Sequence, residues 1–391
     1  MRAWSFSAVA VAALVAVSPA WAQLKPDTAG IPTQDIEVRA TPIASFARSG
    51  KPLDNPRLEW RGGLVLTSPS DKFGGWSGLA LGADGKSLVA VSDSGVWMTG
   101  EIAYDGTRPI AVRSARLGSL QTASGKPLTR QRDRDAEAVT LASGTPKKGT
   151  AYIAFEQNDR IGVFALEKGG LGKPTSYVTM PKEAARMRLD GIESVTVLAG
   201  GPRKGALIAF AENPLRGEKT HRGWIWVSGE PRGFSVADIG RFSITDAAGL
   251  PDGSVLIVER FFRWTEGLKI RLRHLAADGI KPGGIAKGEI LLEADTGSEI
   301  DNLEALAVSQ GERGETVITL MSDDNFNRFL QRTVLLQFTL KNKPAAAAGP
   351  SKKTEKAENV RWVCAGCSGA QPYIGVPMTS VQKDLNSVFG S

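Results

Sequence analysis

From Leu58 to Leu340 the apolar residues of this chain come in short runs, each closed off by Gly, Pro, Asp or Asn. Short apolar runs with turn residues between them predict β-strands. Segments of helical period are scarce, and the clearest of them, Lys182–Arg188, is short. The pattern predicts an all-β protein.

The runs also repeat. Five times a small-apolar strand is followed by a turn and a second apolar strand that ends in an acid. The copies are "SGLALGADGKSLVAVSDS" (Ser77–Ser94), "DAEAVTL" with "AYIAFEQNDRIGVFAL" (Asp135–Leu166), "DGIESVTVL" with "GALIAFAEN" (Asp190–Asn213), "ITDAAGLPDGSVLIVERFF" (Ile244–Phe262) and "IDNLEALAV" with "ETVITLMSDDNF" (Ile300–Phe326). Their acidic strand ends are Asp93, Glu156, Glu212, Glu259 and Asp323, spaced 63, 56, 47 and 64 residues apart. A repeat of this length with several short strands is the sequence form of a β-propeller, because one four-stranded sheet cannot bury both faces alone. Strands at Leu58–Thr67 and Thr333–Leu340 are placed to pair and close the ring. We therefore expect a single propeller of six blades over 57–340, with five or seven as the other counts. A two-sheet sandwich ranks second, since it leaves the recurring acid unexplained.

The flanks read differently. Residues 1–22 combine Arg2, an apolar stretch from Ala8 to Val17, and Ala20-Trp21-Ala22, the form of a signal peptide, so export to the periplasm or medium is expected. A Pro-rich lead-in occupies 23–56, a flexible linker 341–360, and a C-terminal segment 361–391. Cys364 and Cys367 are the only cysteines; in an exported chain the pair reads as a small disulfide loop. That segment is also a candidate docking element for a protein partner. No run is long enough to cross a membrane as a helix.

The 48 basic and 41 acidic residues are interspersed, leaving a net charge of +7. Without a basic stripe bearing interleaved aromatics, nucleic acid is not an expected partner. A small anionic ester is.

Two acidic series share the register of the repeat. One precedes the small-apolar strand: Glu137, Glu193 and Glu304, with Gly78 and Ala248 at the matching places. The other is the strand-end series. If both converge on one mouth of the channel, their oxygens suit Ca²⁺. The expected ligands are Asp93, Glu156, Glu212, Glu259, Asp301, Asn302, Asp323, Asp324 and Asn325, with Asn213 a further neutral donor. The plainer alternative is that each strand-end acid fastens a turn by accepting backbone N–H groups. Arg260 and Arg328 are candidates for stabilising developing charge, and Glu137, Glu193 or Glu304 for a general base. Arg132, Arg134, Arg216, Lys219, His221, Arg222 and Arg263 are candidates for holding an anionic substrate. With no G-x-S-x-G or H-E-x-x-H motif and two histidines in all, water activated by a metal or carboxylate acid/base chemistry is the expected route, rather than a serine nucleophile.

Together the motifs "WSGLALGADGKSLVAVSDSG", "DAEAVTL", "YIAFEQNDRIGVF", "GIESVTVL", "ITDAAGLPDGSVLIVERFF", "DNLEALAV" and "SDDNFNRFLQRTVLLQFTL" resemble the phytase-like domain family, whose exported bacterial members are labelled esterase-like. The resemblance covers about 57–340. It implies a propeller and hydrolysis of phosphoric or other esters. The matching positions are Ser92, Asp93, Glu137, Glu156, Glu193, Glu212, Glu259, Arg260, Asp301, Asn302, Glu304 and Asp323 to Asn325. Ala305 stands where the family often has Gly. Two other functions fit the same fold: a non-catalytic binding propeller of the cell envelope, and a lactonase-like sugar-acid hydrolase.

Overall fold

The structure is a computed structural model that describes residues 26–182 and 191–342. The expected leader, the cysteine pair, nearly all of the expected linker and all but Lys182 of the expected helix lie outside these residues. By internal contacts the chain divides after Pro344, and every described residue belongs to the first unit.

The described residues form five sheets, each a blade and antiparallel except where Ile285–Ala286 adds a parallel edge to the third. Their innermost strands are Trp76–Leu81, Ala136–Thr145, Ile192–Val197, Ser243–Gly249 and Asn302–Gln310, numbered here as blades 1 to 5. Each inner strand touches the next, and that of blade 5 touches that of blade 1, so the ring is closed. Six is the leading expectation from sequence; the ring has five, the lowest of the three counts considered. The anticipated pairing of Leu58–Thr67 with Thr333–Leu340 occurs, with Thr333 opposite Leu66 and Leu340 opposite Leu58. It completes blade 5 instead of adding a sixth, because blade 5 had only three strands of its own. Arg39–Ile43 and Gln34–Asp35, from the lead-in, add outer strands to blades 5 and 1.

The second strands read as unbroken apolar runs, "SLVAVS", "LIAFA" and "VLIV", since a neighbouring blade covers each face. The described residues accordingly hold five hydrophobic clusters, one at each blade-to-blade interface. Inner strands approach closely. A Cβ on Gly78 would lie 2.7 Å from the Val139 nitrogen of blade 2, so only glycine fits. Among the described residues the only helix is Gln131–Arg134, and no helix is long and apolar enough to cross a membrane.

Candidate functional site

Every inner strand carries a β-bulge at the same place, and that of blade 2 has a second between Leu141 and Ser143. The register slips between Trp76 and Gly78, Ala136 and Ala138, Ile192 and Ser194, Ile244 and Asp246, and Leu303 and Ala305. The extra residues are Ser77, Glu137, Glu193, Thr245 and Glu304. A bulge re-aims one side chain, and here all five line a single cavity at one end of the channel, with Glu212 and Arg260. The true counterparts of the three glutamates are thus Ser77 and Thr245. Gly78 and Ala248, expected from sequence, lie one and three residues further on.

The same register corrects the strand-end series. Ser92, Phe155, Ala211, Glu259 and Ser322 are equivalent, each paired with the residue just before a bulge. The next residues are Asp93, Glu156, Glu212, Arg260 and Asp323. Blade 4 therefore presents an arginine where the other four present acids. Glu259 is turned away from the channel and is fully buried, 2.7 Å from Arg273 Nη2 and 3.8 Å from Arg271 Nη1. Burial pushes its carboxyl up to about 7 despite both guanidinium groups. It is not placed to reach a cation in the channel.

Arg260 anchors the cavity. Its Nη1 lies 3.2 Å from Glu304 Oε1 and donates to Asn302 Oδ1 at 2.7 Å, while its Nη2 lies 3.5 Å from Glu212 Oε1. Asn302 donates to Glu304 Oε1 at 2.8 Å, and Asn213 to Glu212 Oε2 at 2.8 Å. On the other side of the ring, Asp135, Glu137 and Glu156 bring one carboxylate oxygen each within 4.8 Å of one another, a group that could hold a metal ion. Sequence reasoning passed over Asp135. The signal was a third acid only two residues before Glu137, in the copy that opens "DAEAVTL".

The electrostatics follow from crowding. Burial pushes the Glu137 carboxyl well above its ordinary value, and the charges of Glu193, Asp135, Asp93 and Glu304 add to the rise. Glu193 rises for the same reasons, with Glu212, Glu156 and Glu304 as neighbours and Arg260 in partial opposition. Burial also lifts Glu304, against the pull of Arg260. Asp323 rises through burial and the nearby Glu304 and Asp93. Buried like charges of this kind are relieved by protons or by a cation. The donors are all oxygens, the set that hard divalent ions prefer.

Several expected site residues have other tasks. Asp324 Oδ1 accepts the backbone N–H of Gly75 and of Phe326, both at 3.1 Å, so it ties the blade 5 loop to blade 1. Asp301 accepts the N–H of Asn302 and Arg332 at 3.0 Å each. Asn325 is exposed in a left-handed turn, with φ at 48°. Arg328 donates to the carbonyls of Ser68, Ser70 and Phe73. His221 is buried behind the channel wall, its Nδ1 2.9 Å from the Glu212 carbonyl, and burial brings it down to about 4. Arg134 is buried against Gln131 and Asp27, while Arg132 lies 4.0 Å from Asp133. Arg222 pairs with Glu218 and Arg263 with Glu266. Arg216 and Lys219 are exposed on the loop after Glu212.

A second buried acid also escaped the sequence reading. Asp246 Oδ2 accepts the N–H of Leu306 at 2.7 Å, stitching blade 4 to blade 5, and burial holds its carboxyl well above the ordinary range.

The cavity at the acidic end measures about 50 Å³, enough for an ion or a water but not for an ester. The opposite end of the channel, about 200 Å³, is lined by apolar side chains including Leu79, Leu81, Val139, Leu141, Val197 and Leu306. A larger cavity of about 760 Å³ lies on that opposite side, where Arg57, Lys287 and Lys341 mix with Asp252, Asp278 and Glu289. Mixed charge there offers no concentrated chemistry. The acidic end does.

No curated protein matches the chain. A family model does: the phytase-like model, described as esterase-like activity of phytase, matches residues 71–326 and points to esterase- or phosphatase-type hydrolysis. That span covers well over half of the chain and takes in all five inner strands and every residue of the bulge ring and the strand-end ring; the chain belongs to the phytase-like family.

Proposed function

We propose that the chain is an exported hydrolase of small anionic esters, phosphoric esters first, that works with a divalent cation, Ca²⁺ being the ion its donors suit best. The observation that carries the reading is the union, in one ion-sized cavity, of bulge-borne carboxylates with the single arginine at Arg260. Asp135, Glu137 and Glu156 would hold the ion. When bound, such a cation supplies Lewis-acid polarisation of an ester oxygen. The cavity is too small for the substrate, so the ester rests above it with its charged group directed inward. Glu193 is the general base: it takes a proton from the water that attacks phosphorus, and the ester oxygen leaves with a proton from solvent. Arg260 stabilises the charge that develops on the phosphoryl oxygens, held in place by Glu212, Asn302 and Glu304.

A panel of phosphate and carboxylate esters, assayed with Ca²⁺, Mg²⁺, Mn²⁺ and a chelator, tests this reading. Turnover that needs a divalent cation and is lost in Glu193→Gln is the expected result. The rival reading is a binding propeller without chemistry, favoured by the small size of the cavity. Cation binding with no turnover of any ester in the panel would decide for it.

A further inference from the structure

Among the described residues, the four most exposed large apolar side chains are Trp264 at 92 %, Phe329 at 92 %, Leu330 at 70 % and Phe262 at 63 %. All four lie in two connections. Phe262 and Trp264 belong to the hairpin between Val255–Arg263 and Gly267–Leu275 in blade 4. Phe329 and Leu330 belong to the loop between Thr316–Asp323 and Thr333–Leu340 in blade 5. Each connects a second strand to a third strand, so both leave the propeller at the end where Arg260 and Asp323 sit. The two blades are neighbours, joined by Thr245 Oγ1 donating to the Leu303 carbonyl at 3.0 Å. One side of the acidic mouth thus carries an apolar crest.

The crest is built, not frayed. The blade 4 strands stay paired out to Arg263 opposite Gly267, three residues past Arg260, which lifts the tip roughly 10 Å. Its turn is held by the Glu266 N–H on the Arg263 carbonyl, and by Glu266 between Arg263 and Lys269. The blade 5 loop is pinned by Arg328 to three carbonyls and by Asp324 to Gly75. Its turn closes with the Leu330 and Gln331 N–H groups on the Asn327 carbonyl. Hydrogen bonds are therefore used to hold Phe329 and Leu330 out in water, where such side chains gain nothing unless something covers them.

Charge identifies the cover. Residues 261–269 and 325–332 carry Arg263, Lys269, Arg328 and Arg332 against Glu266, with Glu299 and Asp301 of the preceding segment beside Arg332, so bases still outnumber acids. Tryptophan, phenylalanine and leucine at loop tips, with basic side chains beneath them, are the residues that enter the boundary between lipid headgroups and acyl chains. We propose that this crest docks the propeller, acidic mouth downward, on a bilayer surface containing anionic phospholipid. The docking stands whether or not the channel performs chemistry.

The test is binding of the full chain to phosphatidylcholine vesicles with and without phosphatidylglycerol, read by flotation. Binding about tenfold or more stronger with the anionic lipid is expected, as is a comparable loss in the Trp264→Ser/Phe329→Ser double variant, with an unchanged thermal midpoint. A second readout removes any contribution from the apolar leader. Trp264→Phe keeps the crest apolar, so the difference in fluorescence between wild type and this variant reports Trp264 alone. Quenching of that difference signal by brominated lipid is expected. Wild-type binding with no quenching of Trp264 overturns the proposal, as does equal binding by the double variant. A dimer in solution that the double variant dissolves assigns the crest to a second copy instead. A raised KM for a soluble apolar ester, without vesicle binding, assigns it to substrate recognition.

Discussion

Arg260 Nη1 lies 3.2 Å from Glu304 Oε1, joining the second strand of blade 4 to the inner strand of the neighbouring blade 5. It is the register equivalent of an acid in every other blade. One cation among so many carboxylates opposes the burial that lifts Glu304 and lies 3.5 Å from Glu212 in an otherwise self-repelling ring.

Replacing Arg260 should therefore affect both chemistry and folding. Arg260→Ala is expected to lower kcat/KM about 100-fold or more. It should also cost about 1–3 kcal/mol of stability, less than a fully buried pair would because its side chain is 30 % exposed. Arg260→Lys should recover much of the stability and little of the rate, since one ammonium cannot bridge Glu212, Asn302 and Glu304 together. Paired kinetic and denaturant measurements check this; a fully active alanine variant would remove Arg260 from the mechanism.

Divalent cation should stabilise the folded state. At a concentration about 100 times Kd the gain is about 2.7 kcal/mol, seen as a raised Tm that chelator reverses. Asp135→Asn and Glu137→Gln should each reduce that shift, because both residues belong to the oxygen cluster with Glu156. Asp324→Asn should not. Calorimetric titration of the metal-stripped variants separates lost binding from lost folding.

The pH dependence of stability should contain two opposed contributions behind the channel wall. His221 is lowered from 6.5 to about 4, so the stability it contributes is present above pH 6.5 and is lost as pH falls toward 4. Glu259 is raised from 4.5 to about 7, so its contribution is present below pH 4.5 and is lost as pH rises through 7. Each shift corresponds to about 3 kcal/mol. Between pH 4.5 and 6.5 the two slopes have opposite signs. Relative to wild type, His221→Asn should make stability fall more steeply with rising pH in that window, and Glu259→Gln should make it rise. Urea unfolding at half-unit pH intervals reads both; parallel curves for all three proteins would contradict the assignment.

Asp324 should prove structural. Asp324→Ala leaves the N–H groups of Gly75 and Phe326 without their acceptor and is expected to cost about 1–3 kcal/mol. Asp324→Asn, which keeps an accepting oxygen, should cost less, and the affinity for divalent cation should hold in both. A metal-binding defect in Asp324→Asn would return this residue to the channel.

The repeat itself was legible in the sequence, and the reason is periodicity. Each blade buries two faces, so its second strand must be apolar throughout, and "LVAVS", "LIAFA", "VLIVE" and "VITLM" announce it. The recurring acid was visible too, and four of its five members, Asp93, Glu156, Glu212 and Asp323, sit at equivalent register positions. Blade count was harder, because a strand from before the first repeat and one from after the last look the same whether they close blade 5 or begin another.

What the sequence could not disclose is the bulge. A single extra residue shifts the face on which every following side chain emerges. It promotes Ser77 and Thr245 to the channel in place of Gly78 and Ala248, and it exchanges Glu259 for Arg260. "ER" and "DD" are each a pair of adjacent charges in one dimension. Register decides that Arg260 lines the channel cavity and that Asp323, which accepts the Asn325 N–H at 2.6 Å, lies near Glu304 and Asp93, while Glu259 meets buried arginines and Asp324 ties down Gly75 and Phe326. Alternation along a strand is a local property that sequence carries in full. Which of two alternating faces looks inward is settled only when the neighbouring strand is hydrogen-bonded in place.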